Sequence, residues 1–299
     1  MTFRSLLHKS QTNQELIRLV GAHDGISAKL IEEAGFEGIW SSGLTVSCSH
    51  CVPDASVLGK AEFLERAQEM RRAVELPILV DMDTGYGSAS HIGYHVKDFE
   101  RAGINGVCIE DKIFPKTNSF VEGGQELLGL EDFCMKIVSA KQNTSYEFFV
   151  VARIEAFISG FGLDDAKYRA DAYAEAGVDA ILIHSKQKDG KEIEQFLLQW
   201  DKKCPIIIVP TTYPDAFSEQ RMRELGVDIV IYANHPMRAM VQWCKTVLKL
   251  IEKRGLSKDI DDMIAPVSTL FRLSGMDRYK ELVKFYDSYG TYGTEDDDD

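Results

Sequence analysis

Four short stretches of this chain follow one pattern. Glu33-Ala34-Gly35-Phe36-Glu37-Gly38-Ile39, Arg101-Ala102-Gly103-Ile104-Asn105-Gly106-Val107, Glu175-Ala176-Gly177-Val178-Asp179-Ala180-Ile181 and Glu224-Leu225-Gly226-Val227-Asp228-Ile229-Val230 share it. Each places a glycine where a helix ends in the left-handed conformation, then an apolar and a polar residue leading into a strand. The glycines are 68, 74 and 49 residues apart. The pattern is therefore a joint reused at irregular intervals, not the fixed-period unit of a solenoid.

Short apolar, β-branched runs recur around these joints: Leu19–Ala22, Gly38–Ser41, Ile78–Asp81, Gly106–Glu110, Phe148–Arg153, Ala180–His184, Ile206–Pro210 and Ile229–Ala233. Several are nearly unbroken, such as Ile206-Ile207-Ile208-Val209, as parallel strands covered on both faces require. Eight such runs alternating with helical stretches predict an α/β fold, the (β/α)8 TIM barrel, and 299 residues suffice for it. Met237–Arg254 and Met276–Ser288 read as extra C-terminal helices. No Pro/Gly/Ser linker divides the chain, so residues 1–290 read as a single barrel domain with C-terminal helices. Residues 291–299, ending in Glu295–Asp299, read as a disordered acidic tail.

The net charge is −13, or −8 once the five terminal acids are set aside. An acidic body argues against a nucleic-acid partner, which calls for a basic face. It leaves room for an anionic small molecule, because a bound divalent cation reverses the local sign. No run of eighteen apolar residues is present, and Met1-Thr2-Phe3-Arg4-Ser5-Leu6-Leu7-His8 lacks a signal peptide's apolar core; a cytoplasmic chain without a membrane partner is expected. Of the six cysteines only Cys48-Ser49-His50-Cys51 has metal-like or redox-like spacing. A zinc site needs a second ligand pair, and with neither a second CxxC nor an HxxxH expected in the chain the cysteines read as reduced thiols.

A barrel puts its chemistry at the C-terminal ends of the strands. There this chain carries Ser42-Gly43-Leu44, Asp54 in the loop that follows, Asp81-Met82-Asp83-Thr84-Gly85-Tyr86-Gly87, Glu110-Asp111-Lys112, Arg153-Ile154-Glu155, His184-Ser185-Lys186 and Asn234-His235. Residues two apart on a strand face the same side, so Asp81 and Asp83 are expected to enter the mouth together and meet Glu110 there. Three carboxylates at one place repel unless a cation lies between them. All-oxygen ligands favour Mg²⁺ or Mn²⁺ over zinc. Arg153 at a strand end suits a bidentate grip on a carboxylate or phosphoryl group, the alternative being an inward ion pair with Glu155 or Glu110. His184 alone reads as a core histidine, and Ser42-Gly43-Leu44 as a tight strand exit or an oxyanion-binding turn. The polar loop from Ile113 to Gly124, carrying Lys116 and Asn118, reads as a lid that excludes water or as a plain surface loop. No P-loop, GxSxG, HExxH or EF-hand occurs.

Together these motifs resemble the isocitrate lyase and phosphoenolpyruvate mutase superfamily. The resemblance rests on Ser42–Ser47, Asp81–Gly87, Glu110-Asp111-Lys112 with Lys116-Thr117-Asn118-Ser119, Val151–Phe157, Ala180–Lys186 and Ala233-Asn234-His235, in order, from Ser5 to Arg272. Lyase members carry a Lys-Cys-Gly-His type lid whose cysteine does acid–base work. Here the lid reads Pro115-Lys116-Thr117-Asn118-Ser119, without a thiol, which is similar to the mutase branch. That resemblance implies a Mg²⁺-dependent isomerase that interconverts phosphoenolpyruvate and phosphonopyruvate, the entry step to natural phosphonates. It also implies an eighth helix swapped between paired subunits, and a homotetramer built from two such dimers.

The resemblance further implies roles. Asp81 would be the main metal ligand, with Asp83 and Glu110 engaging the ion through its waters. The Gly43 and Leu44 amides would stabilise the enolate oxygen and carboxylate. Arg153, Ser42 and His184 would bind the phosphoryl group in flight. Asp54 would be the essential aspartate near phosphorus, and Lys116, Asn118 and Ser119 would close the lid. Phosphonopyruvate hydrolase is the near rival, differing in whether water reaches the phosphoryl group, and Asn118 favours the mutase. A carbon–carbon lyase and a non-catalytic anion-binding barrel are the remaining alternatives.

Overall fold

The computed structural model describes residues 1–289 except Gln14, Gly124, Leu256, Ser257 and Asp259; the acidic stretch 291–299 lies outside the described residues. Eight parallel strands close into a barrel in chain order: β1 Ile17–Ala22, β2 Gly38–Ser41, β3 Ile78–Asp81, β4 Gly106–Glu110, β5 Phe149–Ile154, β6 Ala180–Ile183, β7 Ile206–Ile208 and β8 Ile229–Tyr232. Helices separate the strands, and β1 closes on β8 through Leu19 opposite Ile231. The joint glycines Gly35, Gly103, Gly177 and Gly226 all have φ between 79° and 94°, the left-handed values their sequence pattern predicts.

Strand alternation sorts the apolar residues into two layers. Val20, Ile39, Val80, Val107, Ala152 and Ile183 face the surrounding helices. Leu19, Trp40, Leu79, Cys108, Val151, Leu182, Ile207 and Ile231 fill the interior. The helix Phe3–Asn13 joins the interior cluster through Phe3, whose ring lies 5.4 Å from that of Phe149 at the start of β5. Burying side chains of this size contributes roughly 1.5–3 kcal/mol each, so both layers stabilise the barrel. Only at the upper rim does the inward series turn polar.

The strands differ from their sequence-predicted limits at the margins. β1 starts two residues earlier, at Ile17. His184, Pro210 and Ala233 fall just past β6, β7 and β8, where the backbone turns out of the ladder into the loops. The chain groups into two compact units, Met1–Arg238 and a second from Ala239 onward. The second contains most of the helix His235–Arg254 and the helices Val267–Leu273 and Met276–Tyr289. No described helix is long and apolar enough to cross a membrane.

Candidate active site

The polar rim grows directly out of the inward-facing series. Two residues beyond Leu79, Cys108, Val151 and Leu182 come Asp81, Glu110, Arg153 and His184, still on the interior side. Strand register sets Glu110 beside Arg153. Asp83 arrives by another route than the sequence spacing suggests. β3 ends at Asp81, and Asp83 sits in the following turn with φ +49°, where its amide donates to Asp81 Oδ1 at 3.3 Å. Asp83 is 3 % exposed and Asp81 6 %.

Gly43 makes this packing possible. A Cβ at Gly43 would lie 2.9 Å from Asp81 Oδ2 and 3.2 Å from Asp83 Oδ1. Its amide instead points at Asp81 Oδ2, 3.3 Å away. Ser42 caps the helix Gly43–Ser49, its hydroxyl accepting from the Thr45 amide.

The lid segment reaches in from the other side. Lys116 Nζ donates to Asp54 Oδ1 at 2.5 Å and stands 3.0 Å from Asp83 Oδ1. Asn118 Nδ2 donates to Asp54 Oδ2 at 2.5 Å, and its own carbonyl accepts from the Phe120 amide. Burial pushes the Asp54 carboxyl upward, but the Lys116 ammonium and the Asn118 amide outweigh it and hold it below the usual range. Lys116 is itself buried, which works against its charge, yet the facing acids Asp83, Glu110, Asp54 and Asp81 hold the ammonium well above its ordinary value.

Beneath the lid lies a network that motif reading does not find. Glu155, fully buried, accepts from Arg153 Nε, from Ser119 Oγ at 2.7 Å, and pairs with His184 Nδ1 at 2.8 Å. Arg153 therefore does form the inward ion pair with Glu155, while Nη2 reaches Ser119 Oγ at 3.1 Å and His184 Nδ1 at 2.9 Å. Lys112, also fully buried, donates to Ser119 Oγ at 2.8 Å and lies 3.3 Å from Glu155. Desolvation pushes Glu155 upward, but Arg153 and His184 hold it well below the carboxylate range. Burial lowers His184, which favours its neutral form. Ser119 is thus a buried node joining Lys112, Arg153 and Glu155.

These groups surround one cavity of about 60 Å³. A water needs roughly 10–15 Å³, so the cavity has room for a handful of waters. Nine of the sequence-predicted residues line it: Ser42, Leu44, Asp54, Asp81, Lys116, Asn118, Ser119, Arg153 and His184. Gly43, Asp83 and Glu110 stand behind Asp81 and Arg153. Trp40, Phe120, Val209, Thr211, Ala233 and Asn234 complete the lining. Of these, sequence reading placed only Asn234 at the rim, because a Trp, a Phe or a Thr carries no motif until the fold closes.

Charge at the mouth is out of balance. Among the described residues, Asp54, Asp81, Asp83, Glu110 and Glu155 face three cations, Lys112, Lys116 and Arg153. Asp83 Oδ1 and Glu110 Oε1 are buried without a hydrogen bond, as are Thr211 Oγ1 and Asn234 Oδ1. Burial pushes Asp81 above the normal range and Asp83 up to about 8. Unsatisfied carboxylate oxygens in a mouth with more acids than cations suit a hard divalent cation. Among the described residues no three His, Cys, Asp or Glu side chains are close enough to enclose an ion by themselves. The donor set thus fits an ion held by few direct contacts, with waters filling the remaining positions.

Fold and site together define a (β/α)8 barrel enzyme with a carboxylate-rich mouth at the C-terminal ends of its strands. The chain matches the family described as phosphoenolpyruvate phosphomutase over residues 3–252 and belongs to it. It is 42% identical over 276 residues to phosphoenolpyruvate phosphomutase of Tetrahymena pyriformis, covering 92% of each chain. A crystal structure of phosphoenolpyruvate phosphomutase from Streptomyces platensis subsp. rosaceus superposes with a TM-score of 0.91 at 43% identity, over 95% of this chain and 97% of that one. Phosphonopyruvate hydrolase in complex with oxalate and magnesium superposes with a TM-score of 0.88 at 39% identity, over 94% and 98%.

Proposed function

We propose that this chain interconverts phosphoenolpyruvate and phosphonopyruvate, moving the phosphoryl group between the enol oxygen and C3 of one molecule. The observation that carries this reading is the seal over Asp54, with both carboxylate oxygens capped at 2.5 Å by Lys116 and Asn118 of the lid. The O–P bond breaks, the C–P bond forms, and no atom enters or leaves. Catalysis must therefore hold the pyruvate enolate still and keep water away.

Asp81 would hold Mg²⁺ (or Mn²⁺), with Asp83 and Glu110 reaching it through waters; when bound, the ion supplies charge stabilisation for the enolate oxygen and carboxylate. Arg153 and His184, oriented by Glu155, face the cavity where the phosphoryl group passes. Ser42 and the start of its helix bound the other side, with Leu44 against the carbon skeleton. Asp54 lies ready to guide or receive the migrating group, its charge held in place by Lys116. Asn118 fills the approach a water would need.

The hydrolase reading has one specific point in its favour: a hydrolase superposes almost as well as a mutase. Phosphorus NMR of the purified protein with magnesium and phosphonopyruvate separates the two. Phosphoenolpyruvate is expected, whereas phosphate as the sole product identifies the hydrolase. A carbon–carbon lyase is disfavoured by a lid without a thiol. Equal background signals from wild type and Asp54→Ala would point to a non-catalytic anion binder.

We further propose a cytoplasmic homo-oligomer, a pair of helix-swapped dimers, serving the first step of phosphonate biosynthesis. Supporting the assembly, the C-terminal helices expose the large apolar side chains Trp243, Leu248, Leu270, Phe271, Phe285 and Tyr286. A monomeric mass in light scattering would overturn it.

A further inference from the structure

The helix Ala89–Arg101 carries His91 and His95, an HxxxH pair at i, i+4 that overturns the expectation that the chain has none. That spacing stacks two side chains one turn apart on the same helix face. Their ring centroids lie 6.2 Å apart. His91 is exposed and His95 half-buried, so the pair opens outward.

Both rings are anchored through the same nitrogen. His95 Nδ1 lies 3.1 Å from the Gly85 carbonyl, and a carbonyl only accepts, so Nδ1 carries the proton and Nε2 carries the lone pair. His91 Nδ1 lies 2.8 Å from the Ser88 hydroxyl, which leaves its Nε2 unengaged as well. An imidazole fixed at Nδ1 by a carbonyl or hydroxyl, with Nε2 free, has the arrangement of a metal-binding histidine. Neighbours bound one side of each ring. A Cβ on Gly87 would come within 2.8 Å of the His91 ring, and the Tyr86 ring meets His95 edge-on at 6.1 Å.

We propose that His91 and His95 form a second divalent-metal site, for a nitrogen-preferring ion such as Ni²⁺ or Zn²⁺, outside the barrel and separate from the carboxylate mouth. Metal–nitrogen bonds of about 2.0–2.1 Å at a tetrahedral angle put the two centroids roughly 5 Å apart, so closure needs a movement of about 1 Å. The exposed His91 ring is free to make it. Among the described residues no third His, Cys, Asp or Glu stands close enough to join, so water completes the sphere. The site selects against Mg²⁺, which prefers oxygen.

Calorimetric titration of EDTA-stripped protein with Ni²⁺, under saturating magnesium, tests this. Wild type should bind one tight equivalent. His91→Gln should weaken it about 100-fold, the usual cost of reducing two linked contacts to one. Cys48→Ser/Cys51→Ser and Asp81→Asn should retain it, which separates this pair from the thiols and from the mouth. Magnesium-supported turnover of His91→Gln should match wild type, showing that the variant is folded. A nickel isotherm unchanged by His91→Gln, or one lost only with the thiols or Asp81, overturns the proposal.

Discussion

Glu110 and Asp111 are adjacent in the chain, both carboxylic acids and both buried, yet they occupy opposite kinds of site. Glu110 points into the barrel mouth, where Oε1 has no hydrogen bond and the nearest cations stand 3.6 and 3.9 Å away. Asp111 points outward between strand and helices, accepting from the Tyr173 hydroxyl at 2.8 Å, the Glu155 amide at 2.9 Å and Arg169 Nη1 at 3.3 Å. A fully partnered buried acid holds the scaffold together. One left with orphaned oxygens in a net negative mouth costs stability, and the fold tolerates that cost where a ligand will later meet it. Mutations on the two sides should then separate activity from stability.

The largest separation should come from Asp54→Ala. It removes a mouth carboxylate whose bonds are made by the lid, so turnover measured by phosphorus NMR should fall by ~10³-fold or more. Thermal unfolding should change little, since Lys116 still has Asp83 at 3.0 Å. A melting temperature that dropped as steeply as activity would erase the distinction between the two regions.

Asp111→Ala should do the reverse. It removes one partner of Arg169, which keeps Asp165 at 2.8 Å, and leaves the Tyr173 hydroxyl without its acceptor, so urea unfolding should show a loss of about 1–3 kcal/mol. Below the unfolding transition, turnover per folded molecule should remain within a few-fold of wild type. A large activity loss at full stability would move Asp111 to the catalytic side.

How much of this contrast is legible without coordinates depends on the residue. The barrel is readable because the glycine joints and β-branched runs are local and chemically forced. Asp81, Glu110, Arg153 and His184 are readable because strand ends are where a barrel keeps its chemistry. Asp83 reaches the mouth as expected, but through a left-handed turn and not the two-residue period of a strand. Glu155 and Lys112 are visible as strand-end charges, yet their joint grip on Ser119 depends on a lid folding back over them. Trp40 and Thr211 carry no signal until distant strands close the ring. Nothing in the run Glu110-Asp111-Lys112 announces that its middle member faces away, except strand alternation applied residue by residue.

A finer test within the mouth is Asn118→Ala. Asp54 would keep its bond to Lys116 but lose the one to Asn118 Nδ2, opening a path for water. Turnover should fall about 10-fold, the loss of one hydrogen bond to a charged group, and part of the product should shift from phosphoenolpyruvate to pyruvate and phosphate. Slower turnover with no phosphate released would mean that Asn118 positions substrate without excluding water.

The smallest effect probes the scaffold side through pH. Burial pushes Asp111 up to about 6, with Arg169 pulling the other way. An unfolded aspartate titrates near 3.9, so between these values the native state keeps a proton that the unfolded chain releases. Stability contributed by Asp111 therefore rises as pH falls through 6 towards 4, opposite to an acid whose ion pair dominates. Asparagine at this position does not titrate, so the comparison isolates the effect. Between about pH 7 and pH 5 the wild type should gain about 1 kcal/mol of unfolding free energy relative to Asp111→Asn. A relative loss over that range would mean that attraction to Arg169 outweighs burial, making the ionised form of Asp111 the stabilising one.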